Sequence, residues 1–408
     1  MSAARRAKAS HGAVCFLAVI SFAAGVAAAA TLPRTRQPEE VGMAAGRLAL
    51  LDGLVDEAVA RKDFPGAVLL VARKGKIVYR KAFGLSELVP EPRPMEPDMI
   101  FDLASLTKPV ATATSIMLLV ERGRLRLWDR VSEYVPDFTP YLHEKSLPGE
   151  PARLFHLLTH TSGLPPYSDP KEVEKLYGRP CPTEDLVKHI AGLTKESEPG
   201  ERFVYSCLNY ITLAHIIKKV SGSDVAEFSS ENIFKPLGMD RTGYNPPEAW
   251  RQRCVPTEVV DGTPLRGVVH DPLARLQGGV SGNAGLFSTA DDLAVFAEML
   301  LEGGRFRNTR LLSPLAVERL TEIYPKYPGF GRGLGWDFTS DYATVKGDLF
   351  GPRSFGHSGY TGTSLWVDPE TKTIVVFLTN RVHPDDRGEI IAMRSKVANV
   401  VAASIIEK

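Results

Sequence analysis

Ser105-Leu106-Thr107-Lys108 sets a hydroxyl three residues ahead of an amine. If the two stand on one helix they share a face about one turn apart, and the ammonium can reach the hydroxyl. Beyond them Leu106, Val110, Ala113, Met117 and Val120 recur at steps of four and three. Ile116, Leu118 and Leu119 make this helix apolar almost all round, which predicts burial. Pro109 locates its start, because proline is tolerated only in the first turn, so Ser105 falls at the N-terminus. There the unpaired N–H groups and the dipole favour negative charge, which suits a serine attacking a carbonyl. A proline also disfavours helical dihedrals in the residue before it, so some distortion is expected at Lys108. A Ser-x-x-Lys pair arises by chance about once in a chain this long. From spacing alone, a cap hydroxyl with a solvated lysine fits equally well. A second such pair, Ser168 to Lys171, contains Pro170 and follows Pro165-Pro166, and it reads as loop.

Tyr205 precedes a helix marked by Tyr210, Leu213, Ala214, Ile217 and Val220 and stopped by Gly222, with Ser206 as a natural cap. As a base, Tyr205 would have to give up a proton that an isolated phenol holds to about pH 10, a cost of about 4 kcal/mol at neutral pH. A nearby Lys108 ammonium would supply much of that. The alternative is a core tyrosine with a bonded hydroxyl. A third candidate is Gly356-His357-Ser358-Gly359-Tyr360-Thr361-Gly362, which opens a strand ending at Trp366-Val367. Glycine and small hydroxyl residues there suit an edge strand that a ligand approaches, or else a bulge.

The elements that must bring these segments together lie at both ends of the chain. Leu48, Leu51, Val55 and Ala58 mark a helix, and Gly66 to Ala72 and Ile77 to Tyr79 form a hairpin around Lys74-Gly75. Near the C-terminus, Tyr360 to Val367 and Ile374 to Leu378 read as strands, followed by a helix over Ile390 to Ile406. Two terminal hairpins with mostly helical signals between them predict an α/β fold: one antiparallel sheet built from both termini, flanked by helices, with an inserted helical domain. The terminal part is expected over about 44–104 and 350–408, the helical part over about 105–349, and residues 31–43 as an extension. Arg5, Arg6 and Lys8, the apolar run Ala13 to Val26 and the small residues Ala27 to Ala30 predict a cleaved secretory signal over 1–30. The chain is therefore expected to be secreted or periplasmic, without a stable membrane span. Cys15 comes too early in the apolar run for a lipid-attachment cysteine.

The 408 residues carry 49 Lys plus Arg against 48 Asp plus Glu, for a net charge of +1, with 44% hydrophobic residues. This composition excludes disorder and offers no charge excess for nucleic acid. The mature chain would keep Cys181, Cys207 and Cys254, which allow one bridge at most or three free thiols. No C-x-x-C pair or H-E-x-x-H occurs, so neither zinc nor any other cofactor is expected. Gly278 to Gly285 lacks the Gly-Lys-Ser/Thr ending of a phosphate loop and reads as a tight loop near the site. Thr289 with Asp292 marks a helix start, and His160 and Ser162 read as local side-chain to backbone bonding in a turn. A Ser-His-Asp triad lacks its Gly-x-Ser-x-Gly elbow.

Over Ala44 to Glu407 the chain resembles the serine hydrolases related to class C β-lactamases, a group that includes D,D-peptidases, D-aminopeptidases and esterases. The resemblance rests on Ser105 to Lys108, Leu157 to Leu164, Pro199-Gly200 before Tyr205, Gly278 to Thr289 and His357-Ser358-Gly359. It implies Ser105 as nucleophile, Lys108 as activator, Tyr205 as base and later acid, and an oxyanion hole from the Ser105 and Tyr360 N–H groups. His357, Ser358 and Gly359 would lie beside the acyl group, with Cys207 also in the substrate site. The sequence departs from the β-lactamase pattern at Cys207, where asparagine is usual, and at His357, where lysine is usual. A fixed cation for a substrate carboxylate is then missing, with Arg353 a possible substitute and Asn209 a possible source of the lost amide. The expected activity is hydrolysis of an ester or D-peptide through an acyl-enzyme, with weak β-lactam turnover. A true β-lactamase is one alternative, and a sensor of β-lactams or cell-wall peptides that acylates without turnover is another.

Overall fold

The computed structural model describes residues 30–143 and 147–407, so the expected signal segment and Cys15 lie outside the described residues, apart from Ala30. A six-stranded antiparallel sheet forms the frame. Its strands are β1 (Gly66–Arg73), β2 (Lys76–Glu87), β3 (Arg93–Pro94), β4 (Phe355–Ser358), β5 (Thr363–Asp368) and β6 (Thr373–Thr379), in the order β4-β5-β6-β1-β2-β3. The two termini meet where β1 pairs with β6, from Ala67 opposite Thr379 to Arg73 opposite Thr373. All eight residues of β1 are buried, because helices cover both faces of the sheet. Val68 and Leu70 point into the main core, whereas Leu69 and Val71 point into a second cluster on the other face. Burial of each of these side chains contributes about 1.5–3 kcal/mol.

Helices α1 (Leu50–Ala60) and α5 (Ile391–Ala403) pack on that second face, and α4 (Ala290–Leu301) packs on the first. The expected periodicity is borne out, since Leu51, Val55 and Ala58 of α1 are buried together with Leu48, which ends a separate short helix over Ala45–Leu48. Thr289 Oγ1 accepts from Asp292 N at 3.2 Å and starts α4 as its residues predict. Residues before Ala44 lie against the sheet, where Thr35 N–H donates to Ile77 O at 3.0 Å. Apart from the short helical turns Pro38–Val41 and Ala45–Leu48 ahead of α1, the remaining helices, including α2 (Thr114–Glu121) and α3 (Cys207–Ser221), belong to the segment between β3 and β4. No helix among the described residues is long and apolar enough to cross a membrane.

Three local expectations are corrected. Tyr360 to Gly362 do not continue a strand: the chain turns there, with Gly362 at φ 109°, and strand pairing resumes at Thr363. Ser168 to Lys171 is not a loop throughout, because Asp169 Oδ1 accepts from Lys171 N at 2.9 Å and caps a helix over Pro170–Tyr177. Proline at the first helical position loses no hydrogen bond, which is why Pro170 is tolerated. Ser206 holds the N-cap position of α3, but its hydroxyl donates to Pro165 O at 2.6 Å rather than capping the helix. Cys181, Cys207 and Cys254 are all free.

Candidate active site

The Ser105 segment begins with backbone strain. Ala104 adopts φ 46°, a left-handed conformation costly for a residue with a Cβ. Buried Asp102 holds it there, accepting from Ala104 N at 2.9 Å and from His270 N at 2.7 Å. Ser105 then sits in a 3₁₀ turn over Ala104–Leu106, followed by a wide π-type turn over Lys108–Ala113 before α2 begins. The irregular start coincides with Pro109, where regular α geometry would bring the ring against a carbonyl one turn back. The distortion expected at Lys108 is therefore present.

Lys108 is 0% exposed, so the reading of a solvated lysine fails. Its Nζ donates to Ser105 Oγ at 3.0 Å, to Asn283 O at 3.0 Å and to Cys207 Sγ at 3.5 Å. Asn283 belongs to the Gly278 to Gly285 segment, which is indeed a tight loop beside the site. The Tyr205 ring lies 5.0 Å from the same nitrogen. Its Oη is buried and makes no hydrogen bond, although Ser105 and Lys108 lie near enough that either would stabilise the phenolate. Burial raises the Tyr205 phenol, and the opposing Lys108 ammonium does not cancel it. Burial works against the ammonium of Lys108, whereas a thiolate at Cys207 or a phenolate at Tyr205, when either forms, outweighs it and holds the proton more tightly. The resting pair is thus an ammonium and a phenol, and removal of one proton from it leaves a group able to accept another. Burial also raises the Cys207 thiol, which stays protonated.

His357 lies on edge strand β4, its ring 5.9 Å from that of Tyr205. Nδ1 is 2.8 Å from Ser358 O, so it carries the hydrogen and leaves Nε2, buried and unpartnered, as an acceptor. Burial first, and then the charges of Arg332 and Lys108, keep His357 neutral. A cavity of about 560 Å³ brings together Ser105, Tyr205, His357, Ser358, Gly359 and Tyr360. Cys207 touches Lys108 behind this opening. The Tyr360 side chain points outward to Asp386 at 2.7 Å, so only its backbone can serve Ser105.

Several predicted placements change. His160 sits in a turn at φ 59°, but its buried side chain does not bond locally: Nδ1 accepts from Ser206 N at 3.1 Å, and its ring lies 4.4 Å from that of Tyr205. Ser162 does accept locally from Leu164 N at 3.2 Å, and it also donates to Asn209 Oδ1 at 2.5 Å. Asn209 therefore ties that loop to α3 and does not replace a substrate-facing amide. Arg353 is exposed and paired with Glu370 at 2.9 Å, outside the cavity. The cations that line the cavity are Arg332, Arg381 and Arg394. Arg332 pairs with Asp337 at 3.0 Å and leaves Nε and Nη2 unpartnered, between the Phe203 and Tyr205 rings at 5.4 and 5.9 Å. Sequence reasoning missed all three, because a buried arginine carries no periodic signature. The tight Gly331-Arg332-Gly333 setting was the one local hint.

A terminal-strand sheet, a helical insertion and a serine at their junction define the class: a serine-hydrolase fold of the β-lactamase and transpeptidase kind. The chain belongs to the Beta-lactamase family, whose profile matches residues 51–398. It is 28% identical over 394 residues to a putative D-alanyl-D-alanine carboxypeptidase of Escherichia coli (strain K12), covering 90% of each chain. It is 30% identical to an N-acetylmuramyl-L-alanine amidase of Bacillus subtilis (strain 168), covering 86% of this chain and 85% of that one. Among solved structures, an octameric penicillin-binding protein homologue from Pyrococcus abyssi aligns at TM-score 0.65 and 28% identity, over 87% of this chain and 76% of that one. EstCE1, a hydrolase with promiscuous acyltransferase activity, shares the fold at TM-score 0.70 and 24% identity, over 88% and 99%.

Proposed function

We propose that this chain is an exported serine hydrolase that cleaves an amide or ester of a cell-wall-type peptide through an acyl-enzyme on Ser105. The observation that carries the reading is the buried contact of Lys108 Nζ with Ser105 Oγ at 3.0 Å, under the Tyr205 ring and open to one cavity. In the proposed cycle the Lys108–Tyr205 pair, short of one proton, accepts the Ser105 proton as Oγ attacks the substrate carbonyl. The pair returns that proton to the leaving amine or alkoxide as the acyl–heteroatom bond breaks. Water then repeats the sequence to release the acid. The Ser105 and Tyr360 N–H groups hold the oxyanion in both steps.

Support for a peptide substrate comes from the carboxypeptidase and amidase relatives. Slow β-lactam turnover is proposed because His357 is neutral and Cys207 offers no amide. The same two residues support a second reading, a sensor that is acylated but not released. A substrate screen with intact-mass readout separates these: short-chain esters, D-Ala-D-Ala peptides, a muramyl-L-alanine amide and a chromogenic cephalosporin. Many turnovers with a transient adduct support the enzyme, a stable adduct without product supports the sensor, and fastest turnover of the cephalosporin overturns the ranking.

A further inference from the structure

Gly359 and Tyr360 share one peptide unit, and its two polar ends meet different fates. The Gly359 carbonyl accepts from Gly362 N at 3.1 Å, which closes the turn, and from Arg394 Nη2 at 2.9 Å, and the same Arg394 nitrogen donates to Thr363 O at 2.9 Å. The Tyr360 N–H has no acceptor among the described residues. Among the described residues cis bonds occur only before Pro90, Pro180 and Pro384, so this peptide is trans, and its C=O and N–H point in opposite directions in one plane. Fixing the oxygen therefore fixes the direction of the hydrogen.

The turn carrying this peptide is also tied to the nucleophile segment. Thr361 Oγ1 donates to Asp102 O at 2.7 Å and Thr363 Oγ1 donates to Leu103 O at 2.9 Å. A Cβ on Gly359 would stand 2.3 Å from Leu103 O, so only glycine permits the approach. Arg394 itself, on α5, is 7% exposed and forms no ion pair among the described residues. A buried guanidinium without a carboxylate is costly, and the neutral Gly362 N–H already closes the turn, so closure alone does not account for Arg394. A cation on the carbonyl also polarises the peptide and strengthens its N–H as a donor.

We propose that Arg394 is the positioning residue of the oxyanion hole: by gripping the Gly359 carbonyl it aims the Tyr360 N–H at the oxygen that becomes charged when Ser105 attacks. This inference rests on the acyl-serine reading above. The test compares wild type, Arg394→Gln and Arg394→Lys in hydrolysis of 4-nitrophenyl acetate and in binding of phenylboronic acid, which forms a tetrahedral serine adduct. Losing one oxyanion donor usually lowers kcat by about 10²-fold or more. Arg394→Gln is expected to lower kcat by about that factor with KM within about threefold of wild type, to weaken boronate binding in parallel, and to be rescued about tenfold by lysine. Folded variants with kcat and boronate affinity within about threefold of wild type overturn the proposal, as does a raised KM at constant kcat, which would make Arg394 a substrate contact. If the glutamine variant gives no cooperative melt, Arg394→Lys decides alone, with about a tenfold loss in kcat at constant KM expected and wild-type values overturning the proposal. Wild type that never acylates at Ser105 sinks the acyl-serine reading and this inference together. Acylation that is indifferent to residue 394 sinks this inference alone.

Discussion

The two walls of the cavity are built differently. On the Ser105 side the polar groups are mostly satisfied: Lys108 Nζ has three partners and Asp102 closes the turn before Ser105, with Asn283 Nδ2 the exception. On the opposite side, around Tyr205 and His357, buried polar atoms lack partners, namely Tyr205 Oη, His160 Nε2, His357 Nε2 and Arg332 Nε and Nη2. Each unpartnered buried group costs about 1–3 kcal/mol. Under the proposed function the tasks divide accordingly: one wall would hold Ser105 rigid, and the other would keep hydrogen-bonding capacity in reserve for proton transfer and substrate.

The largest effect that would break this contrast is loss of the nucleophile. Ser105→Ala should lower kcat by about 10⁴-fold or more while its melting temperature stays within about 2 °C, checked by ester hydrolysis and thermal denaturation. Retained activity would remove Ser105 from the chemistry. Tyr205→Phe probes the other wall without changing its packing. A loss of about 10²-fold or more in kcat is expected, and a loss below tenfold would assign the proton to another group.

The pH profile sharpens the same division. The resting pair carries a proton that must leave before attack, and both Lys108 and Tyr205 are displaced upward, so the reactive form is the minor one at neutral pH. For a neutral ester, kcat/KM should climb about tenfold per pH unit from about pH 6 to pH 9. His160 and His357 are held neutral, so neither adds a step near pH 6.5. A plateau reached below pH 7 would point to a histidine base instead. Smaller again, Asn209→Ala removes the acceptor of the Ser162 hydroxyl and should cost about 1–3 kcal/mol of stability by chemical denaturation, with kcat within about threefold. Arg353→Ala, at an exposed ion pair outside the cavity, should leave kcat/KM unchanged and stability within about 1 kcal/mol.

What the sequence made legible follows from distance along the chain. Ser105 and Lys108 are three residues apart, so helix geometry put their contact within reach, while spacing alone left a solvated lysine equally open. The β1–β2 hairpin was equally local, because Lys74-Gly75 must turn there. The resemblance, rather than any spacing, linked Tyr205 and His357 to them. Arg332 and Arg394 escaped because a buried guanidinium is spelled like a surface one, and its neighbours lie in other segments. His160 was misjudged for the same reason: its partners, Ser206 and the Tyr205 ring, are more than forty residues on. Tyr360 was read into a strand because its aromatic character outweighed Gly359 and Gly362, which in fact close the turn that exposes its N–H.

The central claim is tested most directly by trapping the covalent intermediate. Wild-type protein mixed with an activated ester, quenched in acid and mapped by peptide mass, should show one acyl group on the peptide containing Ser105, and the adduct should vanish as substrate is consumed. An acyl group found on Cys207, or undiminished turnover with no adduct on Ser105, would contradict the account.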